Sequence, residues 1–190
     1  MEKILIATKN KDKFEIVKRI LDSIHGENYK YYSLYDIKNL YKNDKESGTV
    51  QERAYNKAKE IYLNIKNNDF KYIIGIDDGI KMKGIIRENV KDYIEDIIDD
   101  KDLKEGERVE IVRAYCFMSQ DGNSNVVTTQ IPFIYHKLNK IIEIKENSYP
   151  LSNVLMPLDS CKTVAEMNKE ENNLYYLKYS EQEIKEVFKW

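Results

Sequence analysis

At 190 residues the chain suits one domain with a substantial core. With 42% hydrophobic and 34% charged residues it reads as globular and not disordered. The 31 basic and 33 acidic residues leave a net charge of −2, which excludes a bulk field for nucleic acid or an anionic membrane, so any phosphate binding must be local.

Residues 3–8 predict a fully buried strand, because Ile4, Leu5 and Ile6 run without alternation. Residues 11–24 then take up helical period, with Phe14, Val17, Leu21 and Ile24 on one stripe, Ile20 beside it and Gly26 as the C-cap. Between them lies Thr8-Lys9-Asn10-Lys11-Asp12-Lys13. A buried strand that delivers Thr8, Asn10 and Lys13 to a helix N-terminus builds an anion site, since free backbone N–H groups and the positive end of the dipole favour phosphate. A polar loop with a solvent-facing lysine fits the isolated motif equally well.

Tyr31 to Leu34 predicts a short second strand, and Asn43 to Gly48 a loop. A second helix is expected from Thr49 to about Lys66, packing through Ala54, Ala58, Ile61 and Ile65. Glu52 stands three residues after Thr49 and completes a capping box. It is also a candidate magnesium ligand, because hard cations take carboxylate oxygens together with water and phosphates. Lys57 follows on the same helix as a solvated charge or a phosphate contact.

Tyr72 to Ile76 predicts a second buried strand that ends in Asp77-Asp78-Gly79. Adjacent carboxylates at the C-terminal end of a buried strand lie where open α/β sheets bind ligands, and they face opposite ways. One can hold a metal while the other addresses a water; ordinary turn chemistry also accounts for the tripeptide. The order strand, helix, strand, helix, strand implies crossover connections and helices on both faces of a sheet. A short acidic helix is expected over 88–100. Strands follow at Val109 to Met118, Val126 to Tyr135 and Lys140 to Ile144, with a hairpin turn at Asp121-Gly122. Thr163 to Tyr175 and Glu181 to Trp190 predict two final helices. The whole reads as one α/β domain over 1–190, a long mixed sheet flanked by helices, with two lobes about a central cleft.

Cys116 and Cys161 are the only cysteines, and with no signal peptide ahead of them they fit free thiols in a reducing cytoplasm. No run approaches the ~20 apolar residues that span a bilayer. His25 and His136 stand apart from each other and from the cysteines, so no zinc pattern exists.

Together, residues 6–13, 46–58 and 75–80 resemble the inosine triphosphate pyrophosphatase family, as do Arg113-Ala114 and residues 162–167 in the later part of the chain. The resemblance implies a two-lobed α/β protein, usually a homodimer, with its substrate in the cleft. It implies a magnesium-dependent enzyme that cuts a non-canonical purine nucleoside triphosphate into the monophosphate and pyrophosphate. By the family pattern Thr8, Asn10 and Lys13 would hold the triphosphate, with Lys57 a further contact. Glu52 would ligate Mg2+, Asp77 would support it, and Asp78 would orient or deprotonate the attacking water.

The chain departs from the pattern in identifiable places. The family serine after the two aspartates is missing, and Arg53 stands for an asparagine. Residues 148–153 replace a Gly-Phe-Gly-Tyr-Asp-Pro segment that shapes the base pocket. Tyr176-Leu177-Lys178 replaces Ser-His-Arg, where Lys178 keeps only the positive charge for the phosphates, and Asn172 replaces a lysine. The phosphate half of the site is thus kept and the base-reading half altered. Two further readings stand beside the enzyme: a catalytically weak or inactive homologue that binds a nucleotide or protein partner, and a subunit of a larger assembly.

Overall fold

The computed structural model describes residues 1–26, 28–37, 47–65, 69–90, 97, 103–137, 149 and 151–187. Three parallel strands open the chain: β1 (Glu2–Ala7), β2 (Tyr29–Ser33) and β3 (Phe70–Met82). The crossovers between them are α1 (Lys11–His25) and α2 (Val50–Asn64), as the alternating pattern requires. Next come β4 (Ile85–Arg87), β5 (Arg108–Ser119), β6 (Ser124–Tyr135) and β7 (Leu155–Pro157), all antiparallel to their neighbours, and then α3 (Lys169–Val187). The described strands form one mixed sheet in the order β2-β1-β3-β5-β6-β7, with β4 also paired to β3.

Alternation sorts the side chains onto two faces. Ile4, Ile6, Ile74, Ile76, Ile111, Tyr115 and Phe133 pack against Val17, Ile20 and Leu21 of α1 and Tyr175, Tyr176 and Ile184 of α3. Leu5, Ile73, Val112, Ala114 and Cys116 face Ala54, Ala58 and Ile61 of α2. Cys116 is a buried free thiol and Cys161 an exposed one. None of the described helices is long and apolar enough to cross a membrane.

Several expectations need correction. The strand at 72–76 does not stop at Asp77-Asp78-Gly79; β3 continues to Met82, because β5 pairs it from Tyr72↔Ser119 to Met82↔Val109. The reversal comes instead at Lys83-Gly84, where φ values of 49° and 80° suit a two-residue hairpin into the unforeseen β4. β7 was not expected either. The two final helices are one: 176–180 holds no glycine or proline, and Tyr176, Ser180 and Ile184 make a continuous buried stripe. Thr163 caps only a 3-10 turn (Val164–Glu166), while Asn168 and Glu171 exchange hydrogen bonds where α3 begins. The expected strand at Lys140 to Ile144 and most of the acidic helix over 88–100 lie outside the described residues.

α2 presses on β3 at Gly75, where a Cβ would stand 1.9 Å from the Ala54 carbonyl oxygen. That contact is backbone against backbone, so no side-chain rotation relieves it. Gly75→Ala is expected to lower stability by about 3 kcal/mol or more, read as a shift in the urea unfolding midpoint.

Candidate functional site

The site originates in a break along one edge of β3. On that edge β1 pairs as far as Ala7↔Gly75, and β4 begins only at Ile80↔Arg87. Ile76 to Gly79 therefore have no strand partner there, although β5 covers their other edge without interruption. Asp77 and Asp78 sit in this gap, both about 5% exposed, with Asp77 on the α2 face and Asp78 on the α1–α3 face.

Two cations from α2 fill the gap. Arg53, 3% exposed, donates from Nη2 to Asp77 Oδ1 at 3.1 Å, to the Asp78 carbonyl at 3.1 Å and to the Glu88 carbonyl. Its Nη1 donates to the Gly48 carbonyl at 3.0 Å. Lys57 Nζ donates to Asp77 Oδ2 at 2.6 Å and reaches the Ile76 carbonyl at 3.4 Å. Backbone carbonyls that a neighbouring strand would have bonded are thus bonded by side chains. Asp77 Oδ1 also accepts the Asp78 N–H at 2.7 Å. Burial pushes the Asp77 carboxyl up, but Lys57, Lys13 and Arg53 outweigh it and hold the group below its usual range.

On the opposite face Arg113 lies directly across from Asp78 in the β3–β5 register. It grips the carboxylate with both arms of its fork, Nε to Oδ1 at 2.7 Å and Nη2 to Oδ2 at 3.0 Å. Lys13 Nζ lies 3.0 Å from the same Oδ2. The guanidinium also stacks over the Tyr176 ring, its Cζ 4.6 Å from the centroid. Burial would raise the Asp78 carboxyl, yet Arg113 and Lys13 drive it far below the ordinary carboxylate range. Lys13 is itself shifted down by burial, with Asp78 pulling the other way.

Above this pair a cavity of about 290 Å³ opens between α1 and α3, at the small end of ligand pockets. Asn10, Lys13, Arg113, Tyr149, Asn172 and Tyr176 line it. Three of them keep a buried polar atom without a hydrogen-bond partner among the described residues: Arg113 Nη1, the Tyr149 hydroxyl and Asn172 Oδ1. A second, more open cleft of about 810 Å³ shares Asn10 and is bordered by Thr8, Lys11 and Tyr35.

Thr8, Asn10, Lys13, Asp78 and Arg113 thus converge at the C-terminal end of β1 and the start of α1. Thr8 Oγ1 accepts the Asn10 N–H at 3.0 Å, and Asn10 Oδ1 accepts the Lys13 N–H at 2.9 Å, which caps α1. Lys57 and Asp77 come together on the other face. Two expected residues stand apart. Glu52 is exposed, and its Oε2 accepts the Thr49 N–H at 2.8 Å in the capping box, a bond that also lowers its pKa. No ion pair or hydrogen bond among the described residues joins it to Asp77 or Asp78. Lys178 is exposed, pairs with Asp159 at 2.8 Å and lines neither cavity.

Magnesium takes oxygen ligands whose lone pairs are open to it. Here both oxygens of Asp77 and both of Asp78 are held by cations, and Glu52 Oε2 is bound into its helix cap, apart from the aspartates. No group of three or more histidine, cysteine or carboxylate side chains gathers among the described residues. Among the described residues the donor set does not fit the ion.

Arg53 and Arg113 were not foreseen as site residues. Each carried a signal. Arg113 interrupts an apolar strand, and Arg53 falls on the same helical stripe as Val50, Ala54 and Ala58. A cation in either place demands a buried carboxylate.

No family model matches the sequence, and no curated protein matches it. Solved structures do. A nucleoside-triphosphatase / dITP/XTP pyrophosphatase from Mycobacterium abscessus superposes over 99% of this chain and 100% of its own, with a TM-score of 0.60 at 17% identity. The HAM1 protein of Coxiella burnetii covers 98% of both chains, with a TM-score of 0.66 at 12% identity. The Ham1 protein of Staphylococcus aureus covers 89% of this chain and 88% of its own, with a TM-score of 0.58 at 16% identity. The chain has the α/β fold of these structures, in agreement with the fold expected from the sequence.

Asp78→Asn would leave Arg113 buried without its counter-charge, and a loss of about 3–5 kcal/mol at pH 7 is expected. The folded-state pKa of Asp78 lies below the unfolded one, so its stabilisation is full above about pH 4 and disappears as the pH falls through the folded value. Urea titrations at successive pH values should show the gap between wild type and D78N narrowing below about pH 4.

Proposed function

We propose that this protein is a nucleoside triphosphate pyrophosphatase that releases pyrophosphate and a nucleoside monophosphate, with a base pocket altered from that of its structural neighbours. The observation that carries this reading is the cavity at the N-terminus of α1. Lys13 and Arg113 meet there over Asp78, beside three buried polar atoms awaiting partners. Lys13 and Arg113 suit the anionic end of a polar ligand, while Asn172 Oδ1 offers an acceptor and Asp12 and Glu15 line the same cavity. A fully overlapping pyrophosphatase fold supports the same assignment.

In the reaction we assign, the polyphosphate enters between Lys13, Asn10 and Thr8. Lys13 exchanges Asp78 Oδ2 for a phosphate oxygen, and that oxygen of Asp78 then accepts a hydrogen bond from the attacking water. The water oxygen bonds to the α phosphorus as the bond from that atom to the bridging oxygen breaks. Pyrophosphate leaves with the bridging oxygen, and the proton of the water passes to the Asp78 oxygen that Lys13 has released. While Lys13 and Arg113 hold it, Asp78 is too weak a base to remove a proton, so its task at rest is to fix those two cations. Positioning and charge neutralisation supply most of the catalysis.

The altered base pocket is supported by which side chains reach the cavity. Tyr149, Asn172 and Tyr176 line it, while Lys178, the remnant of the expected Ser-His-Arg, does not. Hydrogen bonds from an Asn and Tyr set differ from those of a histidine and an arginine, so discrimination among bases should differ too. Exposed Ile85 and Ile86, on the β3–β4 hairpin, support self-association as a homodimer.

A second reading, binding without hydrolysis, is favoured by one observation: each carboxylate oxygen of the Asp77-Asp78 pair already has a cation. Pyrophosphate release over canonical and deaminated nucleoside triphosphates separates the two. Turnover that falls by about 10²–10³ in Lys13→Met supports the enzyme. Tight nucleotide binding with no release across the panel supports the binder.

A further inference from the structure

The lack of fit for magnesium has a counterpart in charge. Among the described residues Lys13, Arg53, Lys57 and Arg113 each pair with Asp77 or Asp78, so four cations hold the oxygens of two carboxylates. A dication brought to this cluster meets repulsion, whereas a polyphosphate meets attraction.

Arg53 stands at the centre of the disagreement. Its guanidinium gathers four oxygens: one carboxylate oxygen, Asp77 Oδ1, and the carbonyls of Gly48, Asp78 and Glu88. A shell of carboxylate and carbonyl oxygens is what a hard cation collects. The shell closes on a side chain because Arg53 faces inward one turn into α2, and because the gap between β1 and β4 leaves the Asp78 carbonyl unbonded by any strand. Closing such a gap needs donors but no net charge, and a neutral amide could supply two of them. A permanent charge, 3% exposed, does more: together with Lys57 and Lys13 it holds Asp77 as an anion, with a cation on each of its two oxygens.

We propose that the Arg53 guanidinium takes the place of a divalent ion in this chain, so that the site grips a nucleoside polyphosphate on fixed protein cations and binds it without metal. The proposal rests on the nucleotide reading above and specifies by what the nucleotide is held. Arg53 acts through Asp77 and Lys57 as a positioning residue, and it need not touch the ligand.

Calorimetry with a triphosphate whose α–β bridge is a methylene group tests this without turnover, once in EDTA and once with excess magnesium. The two dissociation constants are expected to agree within about threefold. Binding that needs magnesium, or gains about tenfold or more from it, overturns the proposal and leaves the nucleotide reading standing. Failure to bind under both conditions removes the nucleotide reading itself, and the proposal with it. In Arg53→Gln, checked for folding by circular dichroism, affinity in EDTA should fall about tenfold or more and magnesium should restore most of it. Equal losses with and without magnesium would make Arg53 a structural plug and end the proposal. If R53Q does not fold, Arg53→Lys retains the charge and should keep metal-free binding; a new requirement for magnesium in R53K would refute it. Titration of Mn2+ into the free wild-type protein, followed by its paramagnetic resonance, gives a separate readout: no tight stoichiometric site is expected, and finding one at Asp77 would overturn the claim.

Discussion

Side chains alternate along a strand, so two adjacent aspartates inside β3 must send one carboxylate to each face of the sheet, and each face must find cations for it. This constraint organises the molecule. On one face the cations come from α2, which is why a helix otherwise packed through Val50, Ala54, Ala58 and Ile61 carries Arg53 and Lys57 inward. On the other they come from the neighbouring strand and from α1, as Arg113 and Lys13. Leaving either carboxylate unpartnered would cost more than most single core contacts contribute. The three segments of chain that supply the cations are tied together by this electrostatic demand as firmly as by their apolar faces.

The backbone makes the same demand in another form. β1 ends at Ala7 and β4 starts at Ile85, so the middle of β3 exposes polar groups on one edge inside a buried sheet. Such groups must be bonded. Arg53 and Lys57 bond the carbonyls, and the Asp77 side chain bonds the Asp78 N–H. Gap and carboxylates are therefore solved by the same atoms. A close approach of α2 is needed for those atoms to reach, and Gly75 and Gly79 permit it; a Cβ at Gly79 would stand 3.0 Å from both Arg87 O and Val50 Cγ1.

Much of the scaffold was legible because its signals are local. The unbroken Ile4-Leu5-Ile6 run, the Thr49–Glu52 capping box and the Asp121-Gly122 turn each decide their own segment. What the sequence concealed was decided by partners far along the chain. Asp77-Asp78-Gly79 has turn chemistry, and only the pairing with β5 keeps it extended. Lys83 and Gly84 carry the turn instead, with no strong marker beyond one glycine. The stretch at 176–180 reads as a junction until β6 is present to bury Tyr176 and Ser180.

The candidate site divides along the same line. Thr8, Asn10 and Lys13 belong to one strand–helix junction, so their convergence could be inferred from spacing. The partnership of Asp78 with Arg113 spans 35 positions and rests on strand register, which no local pattern displays. Glu52 shows the converse, since the capping box visible in the sequence accounts for its Oε2 and the structure joins it to neither aspartate among the described residues. A buried charge in an apolar pattern is the sequence feature that bridges the two scales. Arg113 within Val109 to Met118 and Arg53 beside Val50 and Ala54 each imply an unseen anion, and Asp77-Asp78 is the one buried acidic pair among the described residues that can answer both. Charge balance, read before geometry, leads from those two arginines to the site.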